Sequence, residues 1–257
     1  AGSDMAAIRC RADRDGDEFV INGQKIWSTR AVFADWVFCL LRTDPESSRH
    51  HGLSFILVPL DAPGVTVRPI PQLNGLPGFA EIFFDDVRVS DFNLIGEEGG
   101  GWAIAMATAG FERGLMLRSP ARFQQASRRL VELYRQRQND ILDLSIEDSV
   151  VRCYMDAEAY ALSTYQTASR LINNGAIGPE SSCNKIFWSE LDLRIHETAM
   201  SLLGAKAEIE PGSPDADQQL ANWLDGFLFA QSGPIYAGTN EIQRNIIAER
   251  MLGMPRR

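Results

Sequence analysis

The sequence predicts an α+β protein, with an antiparallel β domain over residues 1–95 and a helical domain of the four-helix-bundle kind over residues 96–257. Two periodicities carry this reading. From Ile8 to about Val89 apolar residues alternate with period two between turn dipeptides, and from Gly96 onward the period becomes 3.6 and stays there. The stretch Gly96-Glu97-Glu98-Gly99-Gly100-Gly101-Trp102 marks the change.

The chain opens on Ala1-Gly2-Ser3-Asp4, which starts neither a helix nor a strand and reads as the interior of a domain, so the β domain is expected to lack its N-terminal part. Asp15-Gly16 and Asn22-Gly23 are hairpin dipeptides. Strands are expected at 18–21, 24–29, 35–43, 53–58, 65–70 and 80–89, joined by polar or Gly- and Pro-rich loops. The glycines at 99–101 lack dinucleotide-binding spacing, and Glu97 and Glu98 would repel a phosphate, so they read as a flexible start to the first long helix.

On that helix Trp102, Ala105, Ala109, Glu112 and Met116 fall on one face. Ser119-Pro120 breaks it, with Ser119 as cap, and a second helix continues to about residue 138. Further helices are expected at 147–173, at 182–203 ending on Gly204, and at 214–231 capped by Ser213. The last begins at Thr239, a hydroxyl N-cap. It carries Ile242, Ile246, Ile247 and Met251 at helical spacing and stops at Gly253 and Pro255.

A length of 257 residues with 45% hydrophobic composition allows one large core or two ordinary ones. A net charge of −9 without any dense Lys/Arg block argues against nucleic acid or an anionic membrane surface as partner. No apolar run is long enough to span a bilayer, and no signal peptide opens the chain. Cys10, Cys39, Cys153 and Cys183 are scattered, as expected of reduced, buried thiols in a cytoplasmic protein. His50, His51 and His196 have no metal-ligand spacing and read as solvated or locally paired; no metal site is expected. The arginines at 128–129 and 135–137 read as a solvated helix face.

Two stretches could carry chemistry. An acid on an apolar helical face, as Glu112 is, should have a raised pKa suited to a general base; an ion pair with Arg113 or Arg118, or plain exposure, remains the alternative. In Lys25-Ile26-Trp27-Ser28-Thr29, Trp27 and Thr29 share a strand face, either as a functional pair or as a half-buried aromatic beside a polar edge residue.

Taken together, Gly2-Ser3-Asp4, the Asn22-Gly23 stretch leading to Trp27, Glu112-Arg113, and Tyr236-Ala237-Gly238-Thr239-Asn240-Glu241-Ile242-Gln243 resemble acyl-CoA dehydrogenases. The resemblance covers nearly the whole chain. It implies FAD as cofactor, bound through Trp27, Ser28, Thr29, Thr239 and Glu241, with Trp27 over one face of the isoalloxazine and Thr29 near its N5. It implies an acyl-CoA substrate flanked by Ser3, Arg113, Tyr236, Ala237 and Gly238, and an N-terminal helical domain that this sequence does not contain. Many members place the catalytic Glu directly after the tyrosine. Here that residue is Ala237, and Glu112 matches the base of another branch, leaving the Ala237 N–H to polarise the thioester carbonyl. Two family contacts to the FAD tail are altered: Arg135 is not followed by Phe-Gly, and Gln-x-x-Gly-Gly is Ser201-Leu202-Leu203-Gly204-Ala205.

That branch often pairs unlike subunits on bulky or steroid acyl-CoA. The implied partners are electron-transfer flavoprotein and either a homo-oligomer or a heterotetramer with a related subunit. The resemblance equally accommodates a non-catalytic partner subunit or a flavin-dependent oxidase or monooxygenase.

Overall fold

A computed structural model describes residues 2–115, 118–137, 139, 145–175, 178–209, 213 and 218–255, and the side chains of all of these except 109–115, 174 and 218–221. The chain forms two compact units, Ala1–Phe111 and Glu112–Arg257, each with its own core.

The first unit is a seven-stranded sheet: β1 (Arg11–Asp15), β2 (Glu18–Thr29), β3 (Trp36–Arg42), β4 (Leu53–Pro59), β5 (Val65–Pro71), β6 (Pro77–Ser90) and β7 (Leu94–Ile95). Their order is β5-β6-β2-β1-β3-β4-β7. The pairings are antiparallel except β1 with β3, which meet in parallel at Arg11 and Arg42. Alternation turns Phe19 and Ile21 of β2, and Ala80, Ile82 and Phe84 of β6, into one core with Cys39, Leu41, Ile56 and Val58.

The Asp15-Gly16 turn joins β1 to β2 as expected, but Asn22-Gly23 is not a hairpin. It is a bulge inside the single strand β2, at a register shift between Ile21 and Gly23. The cause is tertiary. β6 pairs with β2 on both sides of the dipeptide, and the Asn22 amide exchanges hydrogen bonds of 2.9 and 3.0 Å with the side chain and backbone of Asp86.

The glycines at 99–101 also differ from the flexible linker expected. The segment is pinned to β4: Gly99 N–H donates to Ser54 Oγ at 2.9 Å, and at Gly101 close approach excludes a side chain, since a Cβ there would lie 2.5 Å from the Ser54 carbonyl carbon. Helix α1 (Gly101–Leu115) therefore starts hard against β4, and Trp102, Ile104 and Ala105 pack on Leu40, Leu53 and Phe55.

The second unit contains α2 (Pro120–Arg137), α3 (Ser145–Asn174), α4 (Ser181–Leu203), α5 (Gln218–Ala230) and α6 (Asn240–Ile246), the last widening into a π turn over Ile247–Met251. Pro120 is the first residue of α2, where its missing N–H costs nothing. The cap expected at Ser213-Pro214 involves residues 214–217, which lie outside the described residues. Helix α4 packs against α2, α3, α5 and α6, so it is buried on several sides, through Trp188, Leu191, Ile195 and Ala199 and through polar Lys185, Ser189 and Asp192.

Two surface expectations need correction, those for Cys183 and for the Arg clusters, while one of the two alternatives expected for His196 holds. Cys183 is exposed, 4.0 Å from the Met251 sulfur, because it occupies an outward position of α4 between buried Ser182 and buried Asn184; Cys10, Cys39 and Cys153 are buried as expected. Burial pushes the Cys39 thiol up to about 12. Among the Arg clusters, Arg129 is not simply solvated, since its guanidinium lies 4.9 Å from the centroid of the buried Trp223 ring. His196 is buried, with Nδ1 2.8 Å from the Asp192 carbonyl, so it is locally paired.

Replacing Gly101 by Ala forces a methyl into backbone rather than into a movable side chain. Gly101→Ala is expected to destabilise the full-length protein by about 1–3 kcal/mol in urea denaturation. An unchanged midpoint would show that α1 can lift off β4 at little cost.

Candidate functional site

The residues singled out by sequence fall on both units. In the first, β2 carries a second register shift between Lys25 and Ser28, and Trp27 sits in it with φ 61°. A left-handed backbone is unfavourable for an aromatic residue by about 1–2 kcal/mol and commonly marks a functional position. Ser28 pairs with buried Ala80 and so faces the core, while Thr29 pairs with Phe79 on the outer face. Trp27 packs edge-on against Phe79 at 5.9 Å and is 61% exposed, which puts the indole on the Thr29 side of the strand despite the bulge. The result is an aromatic plate beside a hydroxyl. Lys25 is held beneath, its Nζ donating to the Leu40 carbonyl at 2.6 Å. Ser3 is exposed in the turn before the short helical turn Met5–Ala7.

In the second unit the turn Tyr236-Ala237-Gly238 precedes α6. Ala237 and Gly238 are both left-handed, at φ 55° and 82°. Gln243 clamps this pair, its Nε2 donating to both carbonyls at 3.2 and 3.3 Å. A Cβ on Gly238 would come within 2.7 Å of that nitrogen, so glycine is required for the clamp as well as for the backbone. With the carbonyls turned inward, the exposed Ala237 and Gly238 N–H groups make no hydrogen bond among the described residues. Thr239 caps α6, its Oγ accepting from Ile242 N–H at 3.2 Å. The Glu241 carboxyl is held below its ordinary pKa by its own backbone N–H and by the Thr239 hydroxyl.

What holds this turn was not read from the sequence. Asn240 Oδ1 accepts from Lys185 Nζ at 2.8 Å and from Ser189 Oγ at 3.1 Å, while Asn240 N–H donates to the Pro234 carbonyl at 2.8 Å. Lys185 is fully buried, and desolvation lowers its pKa to about 8. The Tyr236 hydroxyl accepts a short hydrogen bond from Arg118, whose guanidinium lies 5.0 Å from the Trp188 ring and 5.4 Å from the Tyr236 ring. Tyr160 donates to the Arg118 carbonyl at 2.9 Å. Arg122 pairs with buried Asp192 at 2.8 Å. The signal available in the sequence was a lysine among apolar residues of a predicted helix. Its partner lies 55 residues away, beyond the reach of periodicity.

Glu112 and Arg113 lie in α1, but their side chains are outside the described residues. No group of three or more His, Cys, Asp or Glu that could hold a metal occurs among the described residues.

A sheet unit carrying an outward aromatic plate, and a helical unit ending in a turn with free N–H groups, define the class to which the comparisons lead. The acyl-CoA dehydrogenase middle domain matches residues 1–87 and the acyl-CoA dehydrogenase C-terminal domain residues 99–252. The chain belongs to the acyl-CoA dehydrogenase family. It is 40% identical over its whole length to acyl-CoA dehydrogenase IpdE1 of Mycobacterium tuberculosis and 39% to IpdE1 of Mycolicibacterium smegmatis, covering 65% of each. It therefore spans about two thirds of the length of these relatives. Among solved structures it resembles the Tcur3481-Tcur3483 steroid ACAD, with TM-score 0.90 and 31% identity over all of this chain and 66% of that one. It also resembles the ChsE4-ChsE5 complex of Mycobacterium tuberculosis, with TM-score 0.86 and 32% identity over all of this chain and 67% of that one.

Because the folded pKa of Lys185 lies below its unfolded value, the unfolded state binds more protons between about pH 8 and 10.5, and stability rises with pH in that window. The denaturation midpoint of the wild type should therefore gain on that of Lys185→Met as pH is raised from 8 to 10. Parallel profiles would mean that the ammonium is not buried.

Proposed function

We propose that the protein containing this chain is an FAD-dependent acyl-CoA dehydrogenase that α,β-desaturates a bulky, steroid-type acyl-CoA thioester. The observation that carries the proposal is the clamped Ala237–Gly238 turn. Its free N–H groups suit an oxygen that gains negative charge when a thioester loses its α-proton. The steroid class of acyl group is supported by the likeness to a steroid ACAD.

The residues present fit a flavin. Trp27 offers a flat apolar face, with the Thr29 hydroxyl on the same side of β2, and α6 begins with the Thr239 cap and Glu241. When bound, FAD would supply the acceptor for the β-hydrogen and its electron pair. The chain's own work is the rest: Glu112 takes the α-proton, the Ala237 N–H polarises the thioester carbonyl, and Arg118 fixes the Tyr236 ring beside it through the phenol. Electrons leave to an electron-transfer flavoprotein in the cytoplasm, and the functional assembly is an oligomer of this chain or a heterotetramer with a related subunit.

One observation favours a second reading, a non-catalytic subunit. Where the family carries Gln-x-x-Gly-Gly, this chain has Ser201, whose hydroxyl is turned back onto its own helix at Glu197, and the left-handed Gly204. A direct measurement separates the two. Full-length protein, with and without the related subunit, is assayed for bound FAD and for its bleaching by steroid-side-chain CoA thioesters. Glu112→Gln should slow bleaching by about 10²–10⁴ while leaving flavin bound. Undiminished bleaching in the variant supports the non-catalytic reading, and absence of flavin from every preparation removes the dehydrogenase proposal.

A further inference from the structure

We infer that Arg118 selects the acyl group: with the Tyr236 hydroxyl it receives an acceptor oxygen, a keto oxygen or a carboxylate, carried on the acyl skeleton of the CoA thioester. The inference rests on the function proposed above and narrows its substrate class from bulky acyl groups to oxygenated ones.

Arg118 stands at the break between α1 and α2, directly before Ser119-Pro120. Its place is fixed from two sides. Buried Tyr160 donates to its backbone carbonyl, and its guanidinium lies against the Trp188 and Tyr236 rings while donating through Nη2 to the Tyr236 hydroxyl. None of these partners is an acid, and Arg118 makes no ion pair among the described residues. Arg122, one turn further on, shows the contrast. It too lies over two rings, Phe123 at 5.7 Å and Phe229 at 5.5 Å, but it is neutralised by buried Asp192 at 2.8 Å. Asp192 is also the acid that acts on the Tyr236 phenol, together with both arginines. Two guanidiniums therefore face one carboxylate around Tyr236, and the charge left over is that of Arg118.

Hydrogen-bonding capacity points the same way. A guanidinium carries donors and no acceptor, and among the described residues only Nη2 of Arg118 is engaged. The Tyr236 oxygen serves as acceptor in that bond, so the phenol proton is left to give. Trp188, against which Arg118 lies, is buried and its indole N–H has no partner among the described residues. The cluster beside the Ala237–Gly238 turn is thus rich in donors and short of acceptors. Arg118 and Tyr236 are half-buried among aromatic rings, so water serves these donors only in part. A hydrocarbon acyl group brought against them would displace that water and leave the donors stranded. An acyl oxygen replaces it, and a site built to hydrogen-bond its substrate rejects the analogue without the oxygen. The uncompensated charge ranks a carboxylate above a keto oxygen.

The test uses the full-length protein with its related subunit and three CoA thioesters on one carbocyclic skeleton: unsubstituted, keto-substituted, and carboxylate-substituted on a ring carbon near the thioester. Flavin bleaching gives kcat/KM for each, and calorimetry gives the affinity for the matching 2-enoyl-CoA products, which requires no turnover. The wild type should prefer the oxygenated thioesters over the hydrocarbon by about 10–10²-fold, the carboxylate most of all. Arg118→Met should lose that preference while handling the hydrocarbon thioester at least as well. Arg118→Lys keeps the charge without the planar fork, so it should retain part of the preference for the carboxylate and lose that for the ketone. Bound flavin reports folding, and if Arg118→Met does not fold, the wild type and Arg118→Lys decide. A wild type that does not discriminate, or that prefers the hydrocarbon, overturns the inference. So does an Arg118→Met protein that loses the same factor on all three thioesters, the result expected if Arg118 only holds the Tyr236 ring. Bleaching by none of the thioesters removes the dehydrogenase proposal, while a calorimetric preference that depends on Arg118 would still uphold this assignment.

Discussion

The turn that precedes α6 depends on one buried interaction, the hydrogen bond from Lys185 to Asn240. An ammonium removed from water is tolerated only if its environment compensates, and here it has the Asn240 carbonyl oxygen and the Trp188 ring, 5.9 Å away. In return it fixes the first residue of α6 against α4. Asn240 also reaches back to Pro234 through its N–H and across to Ser189. The chain between Pro234 and Asn240 is therefore pinned at both ends, and Gln243 closes it from the side. That is how an alanine comes to be held in a left-handed conformation it would not adopt alone.

The aromatic residues around Arg118 serve the same end. Trp188 lies between Phe123 and Tyr236, at 6.5 and 5.8 Å, and Phe229 meets Tyr236 at 6.3 Å. Burial raises the pKa of Tyr236, while Arg118 and Arg122 pull it down. The phenol thus stays protonated near neutrality and can accept from Arg118 while keeping its own proton to donate. In the sheet unit the corresponding device is backbone strain. The β2 bulge holds Trp27 outward in a conformation that an uninterrupted strand would not give it.

The sequence by itself determined the fold class, the switch from sheet to helix and the Thr239 cap, because these rest on periodicity and on groups a few residues apart. It also made Trp27 and Thr29 co-facial by alternation, and the structure keeps them so across a bulge between Lys25 and Ser28. Tertiary structure decided whatever depends on long-range pairing. Asn22-Gly23 has the local chemistry of a hairpin, yet β6 supplies a partner along nearly the whole of β2 and turns it into a bulge. The glycines at 99–101 look like slack, yet Gly101 is required by contact with the Ser54 and Phe55 backbone. Cys183 is exposed because α4, crowded on several sides, still has an outward position there. The anchoring of the Tyr236 turn by Lys185, Ser189 and Arg118 was invisible, since a buried charge shows its purpose only when its distant partner is brought beside it.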